Sequence, residues 1–148
     1  MKRISDALEL LTAQHDELAS LLVALPALAG ERRARALGEL ADKLTTHLAA
    51  EQELFYPALG GEVSTRPAAE QRAEHERLTG AVAALLGMDP SSPAVATRLT
   101  ELATLFEGHV RAQDALFVTV AEAVPAAELT ALGADLDAWS ESSRCIAA

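Results

Sequence analysis

The stretch HLAAEQELFYPAL, residues 47–59, places a glutamate four residues after a histidine, His47 and Glu51. Residues four apart lie on one face of an α-helix, so the two side chains project in the same direction. Leu44 and Leu54 extend this face on either side, which predicts that the imidazole and the carboxylate point into an apolar core. Burying such groups without compensation costs several kcal/mol. The stretch therefore predicts a helix that brings a compensated polar site into a core.

The chain has four histidines, and each lies near the middle of its own amphipathic segment. The predicted helices run from Asp6 to Leu25, from Glu31 to Tyr56 (stopping near Pro57), from Pro67 to about Leu86 and from Pro93 to about Val124. In this order they carry His15, His47, His75 and His109. Short loops between long helices favour antiparallel neighbours, whose mid-helix residues lie at one height. The four imidazoles are expected in one layer of the core.

An all-α fold follows from the composition, because Ala and Leu dominate a chain that is 50% hydrophobic and only 3% aromatic. We predict an antiparallel up-down-up-down four-helix bundle with a short extra C-terminal helix. The bundle takes residues 1–125. A short amphipathic helix from Ala126 to Trp139 and a polar tail complete residues 126–148 as part of the same domain, and this helix is expected to pack outside the bundle.

A weak internal repeat supports this division. His15-Asp-Glu-Leu18 is similar to His75-Glu-Arg-Leu78, sixty positions later. The spacing from His47 to the Leu-Phe pair after it is also repeated behind His109. The first helical hairpin is therefore expected to be duplicated in the second.

The charge and the single cysteine limit the classes of partner. A formal net charge of -10 argues against a nucleic-acid partner, because phosphate binding needs clustered Lys and Arg. Charged residues occur too early in the N-terminal segment for a signal peptide, and no apolar run reaches the roughly 18 residues of a membrane span. Cys145 is the one cysteine and has no intrachain partner, which indicates a reducing compartment. We expect a cytoplasmic protein without a membrane partner.

Four buried imidazoles with nearby carboxylates indicate a metal site, since coordination offsets the burial cost of all these groups together. A purely structural polar layer is the alternative. On the fourth helix Asp114 follows His109 by five residues, whereas Gln113 has the better four-residue spacing. We predict Asp114, because a neutral amide is a poor ligand beside a carboxylate. Nitrogen and carboxylate donors without thiolate suit iron, manganese or zinc.

The pattern resembles the hemerythrin-like proteins, the family of the HHE cation-binding domain. The matching residues are His15 in QHDEL, His47 and Glu51 in HLAAEQELFYPAL, His75 in EHERL, and His109 and Asp114 in HVRAQDALF. The resemblance covers roughly residues 4–124. It implies a four-helix bundle that holds two iron ions, joined by an oxo or hydroxo bridge. His15 and His47 would bind one iron, His75 and His109 the other, and Glu51 and Asp114 would bridge the pair.

The chain departs from the oxygen-carrying hemerythrins on the third helix, where those proteins have a second histidine four residues from the first. Here Gln71 and Thr79 flank His75 at that spacing. The second iron would keep an open position, bind water or take a substitute ligand, Glu74 or Tyr56. Without a role as ligands, Glu74 is interpreted as a solvated surface acid and Tyr56 as a packing residue at a helix end. Such an iron should hold bound oxygen less well.

The leading hypothesis is a non-heme di-iron protein that reacts with dioxygen, nitric oxide or peroxide, and a catalase-like peroxide dismutation is the enzyme activity it would allow. The main alternative is an iron- or redox-responsive regulatory module, with a separate protein partner or a homodimer. It would use the C-terminal amphipathic face of Leu129, Leu132, Leu136 and Trp139. An iron store is disfavoured because six ligands hold two ions, and a metal-free structural bundle remains an alternative.

Overall fold

A computed structural model describes residues 5–60, 63, 66 and 68–147, with side chains as far as residue 143. Its helices are α1 (Ala7–Ala24), α2 (Gly30–Ala50), α3 (Tyr56–Leu59), α4 (Ala68–Leu86), α5 (Ala94–Ala123) and α6 (Ala126–Ala147). The helices α1 and α4 each pack against both α2 and α5, which closes the four long helices into a bundle. The predicted all-α bundle with an extra C-terminal helix is confirmed.

The start of α1 agrees with the capping signal in the sequence. The Asp6 carboxylate accepts a hydrogen bond of 2.9 Å from the backbone N–H of Glu9, which satisfies one of the free donors of the first turn. A 3₁₀ turn, Leu25–Ala27, ends the helix at Pro26, where the sequence predicts its end. The proline expected to open the third helix, Pro67, lies outside the described residues.

The second helix continues past Pro57, so the prediction that it stops there is wrong. Between α2 and α3 lies a π-helical segment, Glu51–Phe55, in which the backbone N–H of Tyr56 donates to the carbonyl of Glu51. Proline has no N–H to donate, and the wider π turn before it accommodates the missing bond. The helix instead ends at Gly60, whose φ of 70° favours glycine.

Two apolar clusters fill the bundle, one on each side of the histidine layer. The first includes Leu18, Leu44, Leu78, Leu99 and Phe106. The second includes Leu11, Phe55, Phe117, Leu129 and Leu136. His15 lies on α1 between Leu11 of one cluster and Leu18 of the other. The apolar packing on both sides thus fixes a polar layer at mid-height.

The C-terminal helix α6 packs along α1 and α2 and extends to Ala147, beyond the predicted end at Trp139. Its residues Leu129 and Leu136 are 5% and 0% exposed. Gly133 lies against the start of α1, where an added Cβ would lie 2.8 Å from the carbonyl carbon of Asp6. Only glycine allows this approach. None of the described helices combines the length and apolarity required to cross a bilayer.

Candidate metal centre

Glu51 lies at the centre of the four histidines, and its two carboxylate oxygens face different pairs. The Oε1 atom is 2.6 Å from Nε2 of His47 and 3.7 Å from Nε2 of His15. The Oε2 atom is 3.2 Å from Nε2 of His75 and 3.4 Å from Nε2 of His109. One carboxylate therefore divides the imidazoles into two pairs, and each pair shares one of its oxygens.

These five side chains are buried, and their facing atoms lack hydrogen bonds. The histidines are at most 5% exposed and Glu51 is 0% exposed. Among the described residues, both oxygens of Glu51 and Nε2 of all four histidines have no hydrogen-bond partner. Native structures rarely leave so many buried polar atoms unsatisfied in one place. The pattern fits a group of lone pairs arranged for a cation.

The donor atoms also lie close enough to share a metal ion. One ligand atom each from His15, His47, Glu51 and His109 can be chosen so that all lie within 4.8 Å of one another. His75 adds a fifth donor at the other carboxylate oxygen. Nitrogen and oxygen donors of this kind suit iron, manganese or zinc, so the residues present fit a metal centre.

The outer ring nitrogens of two histidines are held by different acceptors. Nδ1 of His47 lies 2.6 Å from Oε1 of Gln14, a neutral amide. Nδ1 of His109 lies 2.6 Å from Oε1 of Glu74, a carboxylate. Arg66 donates to the other oxygen of Glu74 over 2.8 Å. Such contacts fix the orientation of both imidazole rings, so that the Nε2 atoms of His47 and His109 point inward to Glu51.

The interpretation of Glu74 as a solvated surface acid is wrong. Its side chain is only 14% exposed and reaches from α4 across to His109 on α5. Glu74 is adjacent to His75 in the sequence, so its side chain does not share the side of α4 that carries His75. It points instead toward the neighbouring helix α5. The sequence offered no signal for this contact, because it joins residues 35 positions apart.

His47 and His109 differ in proton affinity. Desolvation is the largest influence on the pKa of His47 and lowers it. Desolvation also lowers the pKa of His109, but the nearby carboxylates of Glu51 and Glu74 outweigh this effect and raise the pKa to about 9. Desolvation alone would raise the pKa of Glu51, yet the surrounding imidazoles hold it well below its usual value. For Glu74, the bond to His109 is the main cause of a pKa lowered to about 2.

Asp114 is not part of this group, and the prediction that placed it beside Glu51 is wrong. The Asp114 side chain is exposed, whereas Gln113 is 2% exposed and faces inward. Five residues along a regular α-helix rotate a side chain about 140° away from His109, because each residue advances about 100°. A regular α5 therefore selects the four-residue spacing of Gln113.

Gln113 and Tyr56 form the polar edge of the layer next to His75. Gln113 donates from Nε2 to the hydroxyl of Tyr56 over 2.7 Å. The Tyr56 ring centroid lies 6.0 Å from that of His75, so Tyr56 lines the site as well as packing at the helix end. On α4, Gln71 is 8% exposed and lies on the His75 face, while Thr79 is exposed.

Comparisons with known proteins agree with this geometry. The family model described as the hemerythrin HHE cation binding domain matches residues 6–121. The chain belongs to this family. The hemerythrin-like assignment made from the histidine motifs is therefore confirmed. A search of the curated proteins finds no significant match.

A solved structure shares the whole hemerythrin-like architecture. It is the crystal structure of a hemerythrin HHE cation binding domain-containing protein from Mycobacterium kansasii, a homolog of Rv2633c. The two chains are 25% identical with a TM-score of 0.78, and the match covers 97% of this chain and 90% of the other. This coverage includes α6, so the relative has an equivalent of nearly every part of the present chain.

Proposed function

We propose that this protein binds two iron ions, one at each oxygen of Glu51. His15 and His47 would hold one ion, and His75 and His109 the other, with Glu51 as the bridge. The observation that carries this proposal is the division of the imidazoles between Oε1 and Oε2 of one buried carboxylate. Each ion would then have two imidazoles and one carboxylate oxygen, a set typical of non-heme iron with open positions.

Such an iron pair would supply redox reactivity toward dioxygen, nitric oxide or peroxide. The chain's own residues provide the surroundings for this chemistry. The Phe117 ring stacks on that of His15 at 6.1 Å, and the Phe106 ring lies 6.1 Å from His109. These rings exclude water from the layer. Tyr56 has a pKa raised mainly by desolvation and by Glu51, so its hydroxyl keeps its proton and can donate a hydrogen bond to a molecule in the site.

The proposal is tested by the metal content of protein expressed with iron, followed by optical spectra of the reduced form. We expect two irons per chain and a spectral change on addition of dioxygen, nitric oxide or hydrogen peroxide. Zinc or manganese alone, or no response to any of the three, would contradict the iron chemistry. Oxygen evolution from peroxide tests dismutation, and equal rates for wild type and His75→Ala would assign it to free iron.

A regulatory role is the second candidate, because α6 is connected to the metal layer. Gln14 contacts His47 and donates from Nε2 to the hydroxyl of Ser140 on α6 over 3.4 Å. The apolar face of α6, with Leu129 and Leu136, is already buried against the bundle. A signal would therefore move α6 rather than use a face already free. An oligomeric state and α6 amide exchange unaffected by iron loading or oxidation would contradict this role.

We also propose a cytoplasmic location, with a small gas or peroxide as the ligand and either a protein partner or a second copy of the chain for the regulatory role. A single cysteine in 148 residues supports a reducing compartment. The net charge of -10 disfavours nucleic acid as a partner.

A further inference from the structure

A cavity of about 450 Å³ opens beside His75. We call it the basic cavity because, among the described residues that line it, the charged ones are Arg66 and Arg72 and none is a carboxylate. Tyr56, Gln71 and His75 are among its other lining residues. It therefore leads from the surface to His75, one of the two histidines that face Oε2 of Glu51.

The inner end of the basic cavity contains an imidazole without hydrogen bonds. His75 is 5% exposed. Neither its Nδ1 nor its Nε2 has a hydrogen-bond partner among the described residues. By contrast, His47 and His109 each have an acceptor at Nδ1. Nε2 of His75 faces Glu51 and would be taken by the proposed metal, so Nδ1 is the ring atom left for a partner that enters from the cavity.

The charges around the cavity favour an anion. Arg66 pairs with Glu74 at 2.8 Å, which leaves little of its charge for a ligand. Arg72 forms no ion pair with any residue in the described part of the chain and is exposed at the rim. At the inner end, two divalent ions would face the single carboxylate of Glu51. Both ends of the cavity therefore carry excess positive charge.

The cavity is larger than a diatomic gas requires. A water molecule takes about 30 Å³ of liquid volume, and dioxygen is of similar size, so the space is larger than such a ligand by roughly an order of magnitude. A ring or short carbon chain with one acidic group has a suitable volume. The ring of Tyr56 and the side chain of Pro57 offer apolar contact for its body.

We propose that the basic cavity binds a small organic anion, such as a carboxylate. Its anionic end would lie at the His75 metal position or against Arg72, and its body between Tyr56 and Gln71. The inference rests on the proposed function, since it names a ligand class for the same site. It implies that the second metal position serves a molecule larger than oxygen itself.

The test uses benzoate as the probe and benzamide as its neutral control of the same shape. Isothermal titration calorimetry is carried out on metal-free protein and on zinc-loaded protein, because zinc has no redox chemistry of its own. We expect saturable binding of one benzoate per chain and at least tenfold weaker binding of benzamide. No saturable benzoate binding in either form, or equal binding of benzamide, would overturn the inference.

Three variants locate the binding. Arg72→Gln should weaken benzoate binding about fivefold, in the range expected for an exposed ion pair. Arg77→Gln removes an exposed charge from the same helix away from the cavity and should leave binding within twofold. Ala68→Trp, at an exposed position of the cavity wall, should fill the space and abolish binding while circular dichroism stays unchanged. Undiminished binding in Ala68→Trp would place the anion elsewhere.

Failure of the proposed function gives a different result. A protein that binds no metal would contradict the two-metal proposal, whereas benzoate binding to the metal-free chain would still decide whether the basic cavity takes anions. A protein that binds two metals but no benzoate would leave the metal site standing and remove only the organic anion.

Discussion

The two sides of Glu51 open toward surfaces of opposite charge. On the His75 side, the described residues that line the basic cavity include two arginines and no carboxylate. On the His47 side lies a cavity of about 610 Å³ between α1, α2 and α6, which we call the acidic cavity. Its charged lining residues are Glu17, Glu39, Asp42 and Lys43, and Lys43 pairs with both glutamates.

The residues that contact Nδ1 of His47 and His109, here called the inner partners, have the reverse distribution of charge. His47, which lines the acidic cavity, is held by the neutral amide of Gln14. His109, on the side of the basic cavity, is held by the anionic Glu74. The surface charge determines which ion approaches, while the inner partner determines how strongly the imidazole donates. The comparison indicates a cation route on one side and an anion route on the other.

Removal of the shared carboxylate should have the largest effect, because it acts on both sides at once. In Glu51→Gln we expect metal affinity to fall at least 100-fold at both positions, as neutral amides bind cations poorly. The measurement is metal content after dialysis against a weak chelator. Asp114→Asn is the matched control and should retain both metals, since Asp114 is exposed. Loss of one metal in this control would restore Asp114 as a ligand.

The pH should change the two sides differently. His109 has a pKa raised to about 9 in the metal-free protein, whereas that of His47 is lowered. A metal ligand must be deprotonated, so affinity at the His109 position should rise by about 50-fold between pH 7 and 9, where half of the imidazole has lost its proton. The raised pKa stabilises the metal-free fold below pH 6.5, and this contribution is lost as the pH rises toward 9.

Two measurements check this difference. Calorimetry of metal binding at pH 7, in buffers of different ionisation enthalpy, should show about one proton released from His109 and none from His47. NMR titration of the imidazole protons should find His109 protonated and His47 neutral at pH 7. Equal titration of both rings would remove the asymmetry.

Replacement of Glu74, the carboxylate that contacts Nδ1 of His109, should have an intermediate effect on metal affinity. The effect should be limited to the metal position of His75 and His109. Glu74→Gln keeps the shape but removes the charge that polarises His109, and loss of such an outer contact typically costs about 10–100-fold in metal affinity. We expect metal affinity to fall about tenfold at the position of His75 and His109 and to stay unchanged at the position of His15 and His47. Competition with a chromogenic chelator measures both constants. Gln14→Leu should do the converse, and a loss at both positions in either variant would contradict independent sides.

The smallest expected effect concerns the link between α6 and His47. Ser140→Ala removes the 3.4 Å hydrogen bond from Gln14, which is long and worth at most about 1 kcal/mol. Metal affinity at the first position should change less than threefold. If the optical spectrum of the iron-loaded protein or the amide exchange of α6 then stops responding to oxidation, the regulatory role gains support. A response identical to wild type would confine Ser140 to packing.

Local spacing predicted the parts of the site that lie within one helix. His47 and Glu51 share a face because four residues make slightly more than one turn, and the apolar residues around each histidine placed all four in a bundle core. After His109 the same spacing favoured Gln113, but Asp114 was preferred because a carboxylate is the better metal ligand. The resemblance favoured its five-residue spacing, which requires a local irregularity in the helix, whereas the structure has its irregularity at Glu51–Phe55 instead.

Contacts between helices were beyond what the sequence could predict. The bond from Glu74 to His109 depends on the relative rotation of α4 and α5, and this rotation is set by the whole core. The same holds for Gln14, which lies next to His15 but reaches His47 on the neighbouring helix. The extent of α6 beyond Trp139 was missed because polar residues follow there, and α6 is a helix with only one packed face.

The contact between α6 and α1 joins parts of the chain that are synthesised far apart in time. Gln14 and Ser140 are 126 residues apart, and loop closure over such a distance is slow. All four histidines and Glu51 leave the ribosome before the first residue of α6. The nascent chain can therefore complete its histidine layer while the groove beside His47 is still uncovered. Until α6 docks, with Gly133 against Asp6, metal ions would have direct access to His47 from this side.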